Sequence, residues 1–142
     1  MTSKILLLSI QPKFAEKIFD GSKTIELRRV KPKLSEKDYI IVYVSSPIKQ
    51  IQGVFEVKQI IEKPIEELWI SVKSYAGVTK QEFDNYFSGV RIGYGIYIGD
   101  MMNVLRPIEL NEIKKQWVGF HPPQSYKYLT QSEFSLIKSL SG

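Results

Sequence analysis

Apolar and polar positions along this chain fall into short runs whose period changes repeatedly, so strands and short helices are expected to be interleaved. Ile5 to Ile10 is an apolar run between Lys4 and Gln11-Pro12 and predicts a buried strand. From Pro12 the period lengthens. Phe14, Ala15, Ile18 and Phe19 recur at helical spacing with Lys13, Glu16 and Lys17 turned outward, and Gly21 suits the left-handed residue that ends such a helix. Thr24 to Val30 then alternates, with Ile25 and Leu27 on one strand face and Thr24, Glu26 and Arg28 on the other. Lys31 to Asp38 is polar and proline-broken, as in a solvated loop. Tyr39 to Val44 and Gly53 to Ile61 are β-branched and aromatic, predicting two strands joined by Ser45 to Lys49, with Gly53 at a strand beginning suited to a bulge or a close approach.

The second half continues the alternation. Pro64 to Val72 and Thr79 to Phe87 predict short helices, the latter opened by Thr79 with Glu82 three residues on, a capping-box spacing, and with Phe83, Tyr86 and Phe87 inward. Val90 to Ile98 predicts a strand. Its Gly93-Tyr94-Gly95 lies inside the strand pattern and is no dinucleotide fingerprint, which needs a glycine-rich turn opening a helix. Asn103 to Pro107 reads as a last strand and Leu110 to Gln116 as a short helix. Thr130 and Glu133 open a final helix with Phe134, Ile137 and Leu140 inward. With 142 residues and no repeat, low-complexity tract or linker, residues 1–142 are expected to form one domain around one core, to which 17 aromatic residues contribute.

Composition mainly excludes. The absence of cysteine rules out disulfides, thiolate zinc and a cysteine nucleophile, and a single histidine, His121, rules out a poly-histidine metal centre. No metal or cofactor is implied. No apolar stretch approaches the roughly 18 residues needed to span a bilayer, and Ile5 to Leu8 is too short for a signal-peptide core, so a cytoplasmic location is expected. The net charge is +5, and the excess is concentrated early: residues 1–38 carry nine Lys/Arg against five Asp/Glu, whereas residues 39–102 carry six against seven. A mild local positive field suits a phosphate-bearing partner.

That early region holds the densest chemistry. In Gly21-Ser22-Lys23-Thr24-Ile25-Glu26-Leu27-Arg28-Arg29, strand alternation sets the Glu26 carboxylate and the Arg28 guanidinium on one face, ~7 Å apart along the backbone, with Lys23 where the strand begins. The Gly21-Ser22 turn can present backbone N–H groups to an anion. An incidental ion pair on a solvated face is the plain alternative. In a binding cleft, Lys23 and Arg28 would hold a phosphate or base carbonyl. Glu26 would accept from an exocyclic amine, and Ser45, Ser46 and Gln124 would add neutral hydrogen bonds. Tyr43, Phe120 and Tyr126 are candidate stacking platforms, each weighed against a core role. A carboxylate between two cations suits reading a donor edge better than abstracting a proton. His121 beside Pro122-Pro123 suits a surface or capping role, and Pro122-Pro123-Gln124 is either a rigid lid or a structural turn.

Gly21, Lys23, Glu26 and Arg28, in the pattern Gly-x-Lys-x-x-Glu-x-Arg after a short amphipathic helix, resemble the signature of the ASCH domain (activating signal cointegrator homology), a branch of the PUA-like superfamily. The resemblance extends to Lys4–Ile10, Phe14–Ile18, Tyr43–Pro47, Gly53–Val57 and His121–Ser125. It implies an α+β, PUA-like fold: a small mixed β-barrel of five or six strands with flanking helices. It also implies an RNA or nucleotide-like ligand, held by Lys23, Thr24, Glu26, Arg28, Ser45, Ser46, Gln124 and Ser125. Some relatives hydrolyse N4-acetylcytidine with a lysine, a threonine and a glutamate. The lysine carries over to Lys23, but the threonine position holds Glu26 and the expected glutamate region, Ser74 to Val78, has no carboxylate, so such an amidohydrolase site would be altered, with Thr24 a possible substitute. Other relatives are linked to RNA cleavage, for which Lys23 and Arg28 would sit on phosphate with Glu26 as base. A module binding a protein partner in transcription or translation control is a third class. Oligomeric state is not legible here.

Overall fold

The computed structural model describes residues 3–102 and 106–142. Its strands are β1 (Ile5–Ile10), β2 (Ile25–Arg28), β3 (Tyr39–Val44), β4 (Gln50–Pro64), β5 (Ile92–Met101), β6 (Ile108–Glu109) and β7 (Tyr126–Leu129). Its helices are α1 (Pro12–Phe19), α2 (Ile65–Val72), α3 (Lys80–Tyr86), α4 (Leu110–Gln116) and α5 (Gln131–Ser141). The strand expected over 103–107 falls largely on residues outside those described. Four-residue β7, interrupted by Lys127, was too short to be read from the pattern. No described helix is long and apolar enough to cross a membrane.

All seven strands form one mixed sheet in the order β2-β5-β4-β3-β1-β7, with β6 paired to β4. β1 runs parallel to β3, from Ile5 opposite Tyr39 to Ile10 opposite Val44, and antiparallel to β7. The fifteen residues of β4 pair first with β3 and then with β5. The register shifts at Val42/Tyr43 and again on both sides of Val57, bulges that bend the long strand and turn the sheet. The expected five- or six-stranded barrel is corrected to a seven-stranded sheet whose ladder does not close. β2 and β7 are its two edges, and no ladder joins them among the described residues. Polar contacts link the two edges: Arg28 Nη1 donates to Ser125 Oγ at 3.1 Å, and the Lys33 N–H donates to Tyr128 Oη at 2.7 Å.

Apolar packing on the two sheet faces fixes the curvature. Ile5, Leu7, Ile41, Tyr43, Ile51 and Phe120 pack beneath α4 and α5, while Leu6, Leu8, Ile40, Val42 and Phe55 pack with α1. A third cluster joins Ile25 and Leu27 of β2 to Leu68 and Val72 of α2, Phe83 of α3 and Phe87 just after α3. This last cluster holds β2 and α3 together and so forms the floor of the cleft described below. Both capping boxes read from the sequence are present, at Thr79/Glu82 and Thr130/Glu133.

Two glycines in strands mark close approaches. A Cβ on Gly53 would lie 2.7 Å from the Phe19 ring, and one on Gly93 would lie 2.6 Å from the Phe87 ring and 2.7 Å from Leu68. Since Phe87 and Leu68 are buried, neither can retreat. Gly93→Ala is expected to destabilise the fold by about 1–3 kcal/mol, measured by urea denaturation, through overpacking at the seam of β5 with α2 and α3.

Candidate nucleic-acid interface

α1, β2 and α3 enclose a cleft of about 420 Å³, within the size range of small-ligand sites. Ile10, Phe14, Leu27, Val78, Phe83 and Tyr86 supply its apolar wall, and Ser9, Gln11, Lys23, Glu26, Arg28, Glu82 and Asn85 its polar positions. Strand alternation is what brings Glu26 and Arg28 here: Ile25 and Leu27 are buried in the third cluster, so the intervening side chains face the cleft.

Lys23 is 3% exposed, and its ammonium is held by oxygens of the fold. Nζ donates to the carbonyl oxygens of Ile25 (2.9 Å) and Ala76 (2.6 Å) and lies 3.4 Å from Glu26 Oε1. An ammonium has three donors, and three oxygens surround this one. Lys23 therefore fastens the start of β2 to the segment after α2 and fixes the Glu26 carboxylate, rather than standing free for phosphate. The same segment, Ser74 to Val78, is where an acetylcytidine hydrolase would supply a glutamate. Here it offers backbone carbonyls instead: Tyr75 accepts from the Thr24 N–H, Ala76 from Lys23 and Gly77 from Lys17. Thr24 is half-buried and does not line the cleft.

The second carboxylate oxygen of Glu26 lies 3.7 Å from Arg28 Nη2. Arg28 is the cation with donors to spare. Nη1 reaches Ser125, the guanidinium lies 5.9 Å from the centre of the exposed Tyr126 ring, and Nε is buried without a hydrogen-bond partner among the described residues. Ser125 is positioned by the preceding turn, which is strapped to β1: the Ser9 N–H donates to the Ser125 carbonyl and Ser9 Oγ to that of Pro123. Pro122-Pro123 thus acts as a structural turn that delivers Ser125 to Arg28.

The other expected ligands are elsewhere. Ser45, Ser46 and Gln124 do not line the cleft. Ser45 instead donates its N–H to the Ile10 carbonyl, and Ser46, Gln124 and His121 are exposed. Tyr43 and Phe120 are core residues, and burial pushes the Tyr43 phenol upward from its ordinary range. Of the three platforms considered, only Tyr126 is exposed. The anion-binding turn at Gly21-Ser22 is also absent, because the Gly21, Ser22 and Lys23 N–H groups are spent internally on Ile18, Asp20 and Lys17 respectively. The Ser22 hydrogen bonds, side chain and backbone, lower the Asp20 carboxyl.

Phe14, Tyr86 and Asn85 were missed as site residues, since helical spacing assigns Phe14 and Tyr86 to a packing face. Tyr86 is 37% exposed and donates its hydroxyl to the Leu27 carbonyl at 3.2 Å, while the Phe14 ring lies 5.2–5.9 Å from the ammoniums of Lys13, Lys17 and Lys23.

A Lys13–Glu82 ion pair of 2.7 Å joins α1 to α3 at the cleft. The Lys13 hydrogen bond, together with the Thr79 N–H, holds the Glu82 carboxyl at about 2, below its ordinary 4.5. Because the folded value is the lower one, the stabilisation is present above pH 4.5 and is lost as pH falls toward about 2. Glu82→Gln is expected to flatten the stability profile across that acid window and leave its shape near neutrality unchanged, as measured by denaturant titrations at stepped pH.

The ASCH domain family profile matches residues 8–126. This chain belongs to the ASCH domain family. An ASCH domain-containing ribonuclease from Zymomonas mobilis is 30% identical over 139 residues, covering 98% of this chain and 93% of that protein. The crystal structure of ASCH from Zymomonas mobilis matches this ASCH domain with a TM-score of 0.89 at 29% identity, over 98% of this chain and 96% of the other. The N-terminal domain of Staphylothermus marinus McrB shares the fold alone, with a TM-score of 0.59 at 13% identity over 98% of this chain and 95% of the other.

Proposed function

We propose that this ASCH domain binds single-stranded RNA, inserting one base into the cleft between α1, β2 and α3 and holding an adjoining phosphate on Arg28. The observation that carries this reading is the Arg28 guanidinium itself. It rests against exposed Tyr126, bonded to Ser125, with Nε unpartnered, at the edge of an apolar-walled cleft containing a fixed carboxylate. Phe14 and Tyr86 offer planar surfaces for a base, and Glu26 offers lone pairs to an exocyclic amine or ring N–H. The relative named as a ribonuclease supports RNA as the ligand.

That relative also supports a second reading, RNA cleavage. In this reading the ribose 2′-oxygen attacks the adjacent phosphorus and its proton passes to the Glu26 carboxylate. Arg28 neutralises the phosphate, the bond to the 5′-oxygen breaks, and that oxygen takes a proton from water, leaving a 2′,3′-cyclic phosphate. Fluorescence anisotropy with short single-stranded RNA and DNA at two salt concentrations tests binding. Salt-sensitive binding that favours RNA is expected, and no binding at low salt would overturn the reading. Mass spectrometry of the recovered RNA tests cleavage, with cyclic-phosphate ends as the diagnostic product.

A further inference from the structure

We propose that the RNA strand leaving the cleft passes over Tyr126 and lays a second phosphate group in the separate cavity between β1, β7 and the loop after β2, where Lys4 and Lys33 receive it. This rests on the reading that the cleft holds RNA. The second cavity measures about 540 Å³, and, unlike the cleft, no carboxylate is among its lining residues. Neither lysine forms an ion pair among the described residues, and both are exposed. The two carboxylates bonded to lining residues are turned to other work. Asp38 is buried and accepts from the backbone N–H groups of Lys4 and Ser35, while Glu133 accepts from the Thr130 N–H as a helix cap.

The two sites are physically continuous. Arg28 lines the cleft and lies against Tyr126, and the Tyr126 and Tyr128 rings meet edge-on with centres 5.8 Å apart. Tyr128 lines the second cavity and accepts the Lys33 N–H through its hydroxyl at 2.7 Å. A cation on β2, an exposed aromatic ring on β7 and two further cations, just before β1 and in the loop after β2, match what a single strand needs: charge for its backbone and a sequence-tolerant stacking surface between. The tyrosine-to-lysine hydrogen bond also fixes the loop that carries Lys33, so this part of the track is formed before the ligand arrives.

The test compares a fluorescent trinucleotide RNA with a twelve-nucleotide RNA on the full chain and on a Lys4→Glu, Lys33→Glu variant. The parent protein is expected to bind the longer RNA more tightly. The variant should hold the trinucleotide within about twofold of the parent and lose about tenfold or more on the longer RNA, with its salt slope reduced by about 0.7, the signature of one lost phosphate contact on a single strand. A Lys4→Gln, Lys33→Gln variant should fall between. Both lysines are exposed and, among the described residues, only their backbone groups are hydrogen-bonded, so the variants are expected to fold, which their melting curves check. Unchanged affinity for the longer RNA, or equal loss on both RNAs, overturns the second subsite while leaving the cleft reading standing. Absence of binding to either RNA by the parent overturns the cleft reading, and the second subsite with it.

Discussion

Arg28→Ala is expected to weaken binding of short single-stranded RNA by about ten- to a hundredfold while the fold persists. A hydrogen-bonded charged contact contributes roughly 1.5–3 kcal/mol, and each 1.4 kcal/mol is tenfold in affinity. Two further consequences follow from what surrounds the residue. Without the guanidinium, the Glu26 carboxylate faces the incoming phosphate with Lys23, itself bonded to two carbonyls, as its remaining ion-pair partner. The ring of Tyr126 also loses the group that lies against it. The salt slope should fall by about 0.7, the signature of one phosphate contact on a single strand. Arg28→Lys is expected to recover the slope but little of the affinity, because an ammonium cannot bond Ser125, neighbour Tyr126 and meet phosphate as a planar fork does.

Lys23→Met is expected to act on stability first, lowering it by roughly 3 kcal/mol in urea denaturation. The substitution leaves the Ile25 and Ala76 carbonyls without their donor and the Glu26 carboxylate, 13% exposed, with only the looser Arg28 contact. If the lost charge pairing carries much of the effect, adding Glu26→Gln should restore part of the stability, since it removes the carboxylate left beside the new methionine. A Lys23 variant that keeps full stability yet loses RNA would instead assign this lysine to the ligand. For this reason Arg28 gives the cleaner binding test and Lys23 the cleaner structural one.

The elements were legible where burial imposes a period. β1, α1 and the alternation of Ile25, Glu26, Leu27 and Arg28 follow from one buried face each, and the structure keeps them within a residue or two. What depends on partners distant in sequence was not. Whether the sheet closes is decided by the pairing of β2 with β5, Ile25 opposite Tyr97, and of β7 with β1, Leu129 opposite Ile5, contacts that no local pattern encodes. The site divides the same way. Glu26 and Arg28 could be placed on one face from spacing alone, but the engagement of Lys23 depends on Ala76, 53 residues away, and the partner of Arg28 is Ser125, 97 residues away. Phe14 and Tyr86 were read as packing residues because an amphipathic pattern marks a face without saying whether a neighbour or a cleft lies against it.

The most direct test of the account is to follow the backbone amide signals of the isotope-labelled protein by nuclear magnetic resonance as a short single-stranded RNA is added. Shifts concentrated in β2, α3 and the first residues of β7, with Glu26, Arg28, Tyr86 and Tyr126 among the largest, are expected. Shifts centred instead on the far helices α4 and α5, with β2 and α3 unmoved, would contradict it.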